Sequence, residues 1–459
     1  MNDQTILASI KEGERLKGRQ REVCEFLNKN PRTIVILDDD PTGTQTVQNI
    51  PVITNWSEEI LALEMQHSSV FFVLTNSRAL QKSEAVELAE TLGKRLKKLA
   101  TTHDKKLIVI SRGDSTLRGH YPDEVEVLAK ALGHQDGKHA LIPAFFEGGR
   151  FTYKDIHYVR EEDHFVPAAE TPFAKDSTFG YNNSNLHDYV LEKYQGDLTT
   201  DKIVSASIDT LRSGGVSKEL SEKIRTQYCI VVNATVHADL ENFALAALRS
   251  GQDIVFRTAA SFVNAILGQR PANLLDKTDI VHQESTGGLI VIGSYVPKTT
   301  AQLNILKNHY DAEYVELDVN ALFTDAHLED TLAKKARLLD DALENGKNIV
   351  VYTSRKVKTG SSKEESLAIV NVVSQALTKL VEMIGVQPRF ILAKGGITSS
   401  DIAVKSLNIQ RARVLGQLIK GVPVWQANEK SKFPAIPYIV FPGNVGSDYD
   451  LYNALKKLE

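Results

Sequence analysis

Thr33-Ile34-Val35-Ile36-Leu37 runs straight into Asp38-Asp39-Asp40-Pro41-Thr42-Gly43-Thr44. The apolar, β-branched run reads as a buried strand. The polar turn after it falls at the carboxyl end, where open α/β sheets place their ligands. The same order recurs along the chain. Further runs are Val70 to Leu74, Leu107 to Ile110, Ala140 to Pro143, Tyr228 to Val232 and Ile254 to Phe256. In the second half they are Leu289 to Ile292, Tyr314 to Leu317, Asn348 to Tyr352, Phe390 to Ala393, Ala412 to Leu415 and Tyr438 to Phe441. Helical patterns such as Ser83 to Leu99, Ala238 to Ser250, Leu328 to Leu343 and Glu364 to Ile384 lie between them. Alternation of this kind predicts an α/β fold. A chain of 459 residues also exceeds what one hydrophobic core supports. The expectation is two domains, each built on a mainly parallel sheet flanked by helices, with an interdomain active-site cleft.

The polar segment 271–288 holds Pro271 and closes with Ser285-Thr286-Gly287-Gly288. It is predicted to link a first domain at 1–270 to a second at 289–459. From Pro143 to Asn185 periodicity fades while aromatics, His and Gly accumulate, which points to a functional excursion.

Composition narrows the partners. Apolar residues make up 42% and charged residues 24%, as in soluble globular chains. The 54 basic and 58 acidic side chains leave a net charge of -4, so no global field favours a nucleic acid or a membrane. A small anion would need local arginines instead. Cys24 and Cys229 read as two separate thiols in a reducing compartment. The N-terminus has no signal-peptide core, and no apolar run is long enough to span a bilayer. A cytoplasmic location is expected.

The residues after each run carry the chemistry. Asp38, Asp39 and Asp40 repel one another, which raises the basicity of the group and suits a general base or a magnesium site. Leu107 to Ile110 leads into Ser111-Arg112-Gly113-Asp114-Ser115-Thr116-Leu117-Arg118-Gly119-His120. Thr75-Asn76-Ser77-Arg78 and Phe145-Phe146-Glu147-Gly148-Gly149-Arg150 follow two other runs. A single such arginine is usually a surface ion-pair partner. Arg78, Arg112, Arg118 and Arg150 arriving together at strand ends describe a pocket for a small polyhydroxylated anion.

The second half differs. Gly293-Ser294-Tyr295, Lys394-Gly395-Gly396-Ile397-Thr398 and Pro442-Gly443-Asn444-Val445-Gly446 each join a strand to a helix pattern. Glycines let backbone approach a ligand, and free N–H groups at a helix start favour phosphate. Gly416 and Gly421-Val422-Pro423 are read as two more tight turns. Neither a Walker-type loop nor a dinucleotide fingerprint nor a His-Glu-x-x-His motif occurs. Of the histidines, only His120 and His157 are candidate site members.

Taken in order, these stretches resemble the four-carbon acid sugar kinase family. Asp39-Asp40-Pro41-Thr42-Gly43 matches its Asp-Asp-x-Thr-Gly motif, and Asp114 to Gly119 matches Asp-Ser-Thr-Leu-Arg-Gly. Gly293-Ser294, Gly395-Gly396 and Gly443-Asn444-Val445-Gly446 match its nucleotide domain. The resemblance runs from about Thr33 to the last helix. It implies phosphorylation of a hydroxyl of a small, four-carbon sugar acid by ATP, with Mg2+ bridging the phosphates. Asp39 or Asp114 would accept the hydroxyl proton, Asp39 being preferred for its acidic neighbours. Asp40, Thr42, Gly43, Arg78, Arg112, Ser115, Arg118 and Arg150 would bind the acid. Ser294, Gly395, Gly396, Thr398, Gly416, Gly443 and Asn444 would bind ATP. A homo-oligomer is compatible with the sequence.

Two other readings compete. Asp38-x-Asp40-x-Thr42, with Thr75-Asn76 and Gly113-Asp114, fits a haloacid-dehalogenase-type phosphatase, but Arg118 stands where that reading needs an acidic partner. A non-catalytic sugar-acid sensor leaves the Asp38 to Asp40 cluster without a purpose.

Overall fold

The computed structural model describes residues 3–134, 137–213, 218–270, 273–282, 285–325, 327–355 and 363–459. The chain forms two compact units. Unit 1 comprises Met1–Gly43 and Asn55–Pro271, and unit 2 comprises Thr44–Thr54 and Ala272–Glu459.

The strands up to residue 258 are β1 (Thr33–Asp38), β2 (Pro51–Ile53), β3 (Val70–Leu74), β4 (Leu107–Arg112), β5 (His139–Ile142), β6 (Arg150–Tyr153), β7 (Ile156–Glu161), β8 (His164–Pro167), β9 (Ile203–Ala206), β10 (Cys229–Val232) and β11 (Val255–Thr258). Unit 1 orders its main sheet β3-β1-β4-β11-β5-β10-β9, all parallel. Every residue of β1 is buried, as expected of a strand covered by helices on both faces. From β1 the chain goes first to β3 on one side and then to β4 on the other. The carboxyl ends of β1 and β4 therefore flank a topological switch point.

The aromatic stretch 143–185 is more ordered than its sequence suggests. It contains an antiparallel sheet, β6-β7-β8. Lys154 and Asp155 join β6 to β7, both with positive φ, which gives the turn a twist that suits a tight hairpin. Phe151, Tyr158 and Phe165 pack there with Ile6 from the first helix.

Unit 2 adds β12 (Leu289–Ile292), β13 (Glu313–Leu317), β14 (Ile349–Thr353), β15 (Ile391–Lys394), β16 (Arg411–Ile419), β17 (Val422–Ala427) and β18 (Pro437–Phe441). Its order is β13-β14-β12-β15-β18-β17-β16-β2. The strands from β13 to β18 in that order are parallel, while β17 pairs antiparallel with β18, β16 with β17 and β2 with β16. Its own switch point lies between β12 and β15. Ile290, Ile292 and Phe441 of the sheet, and Phe390 just before β15, pack with Leu303 and Leu451 from the helices Pro297–His309 and Asp450–Lys456.

Three expectations need correction. Thr44–Thr54 does not stay with the first domain. Its backbone joins β16, through Asn49 N to Val414 O at 2.7 Å and Thr54 N to Gln410 O at 3.1 Å. The buried Trp425 also donates its indole N–H to Thr44 Oγ1 at 2.9 Å. The segment 271–288 is not a polar linker throughout, because Leu275, Ile280 and Val281 are buried in the unit 2 core. Gly416 is not a turn either. It lies inside β16 at a ladder irregularity, φ 146°, with Leu275 3.2 Å from where a Cβ would sit. The turn between β16 and β17 is Lys420-Gly421, and Pro423 lies within β17. Among the described residues no helix is long and apolar enough to cross a membrane.

Candidate functional site

In unit 1 four parallel strands deliver charged residues to one place. β1 ends in Asp38 and continues into Asp39 and Asp40. β3 leads to Arg78, β4 to Arg112 and Asp114, and β11 carries Arg257. The turn after β3 is fastened to β1, since Thr75 donates from N (2.9 Å) and from Oγ1 (2.8 Å) to the Asp38 carbonyl. Gly113 N likewise donates to Thr258 O at 2.8 Å. Parallel register thus fixes the backbone positions from which these side chains project.

Arg78 is the hub. It pairs closely with Asp40 and lies 3.5 Å from Asp114 Oδ1 and 3.9 Å from Asp39 Oδ1. Arg112 Nη1 lies 3.4 Å from Asp38 Oδ1 and 3.8 Å from Asp39 Oδ1. Arg257 donates to Ser111 Oγ at 2.9 Å and lies 3.8 Å from both Asp39 Oδ2 and Glu124 Oε2. Asp38, Asp39 and Arg112 are almost wholly buried.

The carboxylates are not equivalent. Burial pushes Asp38 up to about 8 against the pull of Arg112. Burial also raises Asp39, although Arg78, Arg257 and Arg112 oppose it. At Asp40 and Asp114 burial loses. Arg78 and Thr42 hold Asp40 below the usual carboxylate range, and Arg78, Arg118 and Thr116 do the same for Asp114. Neither oxygen of Asp39 has a hydrogen-bond partner among the described residues, whereas Asp38 lacks one only at Oδ2, so Asp39 is the carboxylate with both oxygens left to receive a donor. Gly43 is required on steric grounds, because a Cβ there would overlap the Asp38 carboxylate. Thr42 bonds Asp40 through its N–H (2.8 Å) and its hydroxyl.

The four expected arginines fall into two groups. Arg78 and Arg112 are engaged by carboxylates. Arg118 and Arg150 both lie over the Phe173 ring, their guanidinium carbons 5.2 and 5.8 Å from its centroid. Arg118 donates from Nε to Asp114 Oδ2 at 2.8 Å, with Asp176 at 3.8 Å. Arg150 Nε is buried and lacks a partner among the described residues. Ser115 is buried, and its carbonyl lies 2.7 Å from His157 Nε2. Burial brings His157 down to about 4, which suits a neutral brace. His120 lies 3.1 Å from the Leu80 carbonyl and is also shifted down by burial. The arginines among these carboxylates oppose a divalent cation, so the setting does not fit the magnesium site of the phosphatase reading. Among the described residues no group of three or more His, Cys, Asp or Glu is arranged to hold a metal ion.

In unit 2 Ser294 gathers the glycine turns. Its N–H donates to Lys394 O at 3.3 Å, and Thr299 Oγ1 donates to Gly443 O at 3.0 Å while lying 3.1 Å from Ser294 Oγ. A Cβ on Gly443 would stand 3.0 Å from Ser294 Oγ. One on Gly395, φ 120°, would stand 3.1 Å from Ser294 Cβ and 3.2 Å from Thr398 Oγ1. Ser294, Gly395, Thr398 and Gly443 are therefore neighbours at the β12/β15 switch point. Gly396 opens the short helix Gly396–Asp401, Asn444 is exposed on the last turn, and Gly416 lies away from these turns in β16.

The sequence reading does not single out Arg257, which lies beside Asp39, Phe173, which lies under Arg118 and Arg150, or Arg355 and Lys394, which border Ser294. Arg257 could have been found, because it follows Val255-Phe256 just as Arg112 follows its own run. Phe173 sits in a short turn with no periodic pattern, and only packing reveals it.

Two doubly wound units, one presenting an acid–arginine cluster and the other glycine turns around a serine, define a two-domain ligand-binding α/β protein. A family described as the sugar-binding N-terminal domain matches residues 34–266, and one described as the nucleotide-binding C-terminal domain matches residues 289–451. The chain belongs to the four-carbon acid sugar kinase family. It is 26% identical over 256 residues to a D-erythronate kinase of Heliobacterium modesticaldum. That alignment covers 55% of this chain and 54% of the relative, so the chain spans about half the length of the curated protein it matches. A Haemophilus influenzae protein shares the fold with a TM-score of 0.63 at 16% identity, over 93% of this chain and 100% of that one. A Salmonella typhimurium LT2 protein, described provisionally as a tRNA synthase, does so with a TM-score of 0.68 at 17% identity and the same coverage.

Proposed function

We propose that this protein is an ATP-dependent kinase that phosphorylates a hydroxyl of a four-carbon sugar acid. The observation that carries the reading is the pairing, in one chain of this family, of a buried carboxylate without hydrogen bonds, Asp39, with a two-arginine shelf over Phe173. The acid's carboxylate sits on Arg118 and Arg150, where it relieves the repulsion between two guanidiniums sharing one ring. Its hydroxyl donates to Asp39, which accepts the proton as the oxygen attacks the terminal phosphorus of ATP. Asp39 suits this role better than Asp114, whose basicity is spent on Arg78 and Arg118. ATP lies on Ser294, Gly395, Thr398 and Gly443. Mg2+ bound with the nucleotide would supply charge neutralisation at the phosphates, and no side chain of unit 1 is assigned to it. The experiment is a coupled ADP-release assay on purified protein with erythronate, threonate and longer acids. Four-carbon acids are expected to stimulate release, and the absence of stimulation by any acid would refute the proposal.

A further inference from the structure

The strand ends of unit 2 hold positive charge that the glycine turns do not explain. Arg355, just beyond β14, donates from Nε to Thr353 O at 2.9 Å, from Nη2 to Thr353 Oγ1 at 2.6 Å and from Nη1 to Ser294 O at 2.8 Å. All three acceptors are neutral, and among the described residues two of the guanidinium's five N–H groups have no partner. Glu316, an acidic group that acts on Arg355, itself accepts from the Tyr352 hydroxyl at 3.1 Å. Burial shifts Arg355 downward, as it does for a cation with too little compensation.

Lys394, the last residue of β15, is fully buried. Its Nζ donates to Pro442 O at 3.0 Å and sits 4.1 Å from the Phe441 ring centroid. Burial, helped by repulsion from Lys298 on the helix Pro297–His309, brings it down to about 7. Lys298 has a partner of its own in Asp448, at 3.1 Å. The elements against Lys394 thus offer a carbonyl, an aromatic face and another cation. Burying a cation in such a setting is costly unless an anion completes it. Both residues border Ser294, one through its carbonyl and the other through its N–H.

We propose that Arg355 and Lys394 receive the negative charge of the nucleotide's phosphate chain at Ser294, Arg355 by direct hydrogen bonds and Lys394 as a positioning charge under the Pro442-Gly443 turn. This rests on reading unit 2 as the ATP site. Phosphate arriving there draws a proton onto Lys394.

Calorimetric titration of the full chain with ATP, inorganic tripolyphosphate and adenosine tests it. Arg355→Met should weaken ATP and tripolyphosphate by about 10- to 100-fold and leave adenosine unchanged, whereas a merely structural role would weaken all three. At pH 8, ATP binding to wild type should take up a proton, read from the dependence of the heat on buffer ionisation. Lys394→Met should abolish the uptake, and Lys394→Arg, permanently charged, should bind without it. Wild-type affinity for tripolyphosphate in Arg355→Met, or unchanged uptake in Lys394→Arg, would overturn the inference. A wild type that bound neither ATP nor tripolyphosphate would instead overturn the kinase reading.

Discussion

Arg257 at the end of β11 holds its Nη2 3.8 Å from Asp39 Oδ2, just past the end of β1, although β4 separates the two strands in the sheet. Arg78 and Arg112 approach the other Asp39 oxygen, at 3.9 and 3.8 Å. Asp39 is thus surrounded by positive charge without being hydrogen-bonded by any described residue. Such an environment holds a carboxylate in place and leaves its lone pairs available to a substrate hydroxyl.

Asp39→Asn keeps the shape and removes the base. The variant is expected to bind ATP normally while kcat falls by about 10²- to 10⁴-fold. Single-turnover kinetics beside nucleotide titration measures both. Near-normal turnover would move the base elsewhere.

Arg118 and Arg150 are assigned to the acid rather than to the nucleotide. Replacing either with Met should raise KM for the acid by about 10- to 100-fold, the worth of a charge-assisted contact, with KM for ATP little changed. Steady-state kinetics with each substrate varied in turn separates the two. An equal rise in both constants would contradict the assignment.

Asp38 makes stability depend on pH. The unfolded chain releases this proton near 3.8, whereas the folded chain keeps it until about 8. The stabilising contribution is complete below the lower value and is lost as pH rises through the upper one. Thermal melting of the wild type should therefore decline relative to Asp38→Asn between about pH 5 and about pH 8. Parallel pH profiles would show that Asp38 is ionised throughout.

Thr44→Val should strand the indole N–H of Trp425, a fully buried side chain whose hydrogen bond runs to Thr44 Oγ1. The expected loss is about 1 to 3 kcal/mol in denaturant unfolding. A neutral substitution would mean that the segment Thr44–Thr54 is not held in unit 2 through this contact.

Much of the architecture could be read locally. Runs such as Val70 to Leu74 and Leu289 to Ile292 coincide with β3 and β12, because strands buried on both faces are written as unbroken apolar segments. The short strand β2, and β17 with Pro423 inside it, have no such pattern, and their pairing is set by non-local neighbours. The β6–β8 sheet has no legible alternation because its strands are brief and packed largely by aromatics.

The order of residues along the chain determined which chemical groups stand at the strand ends: acids and arginines in the first half, glycines and hydroxyls in the second. That information is local, since a strand and the turn behind it are contiguous. Only the tertiary structure decided how those groups pair. It committed Arg78 and Arg112 to carboxylates, placed Arg118 and Arg150 over Phe173, brought in Arg257, and left Asp39 without a hydrogen bond. Charge pairing and burial depend on distances between strands far apart in sequence, and those distances exist only once the sheet has formed.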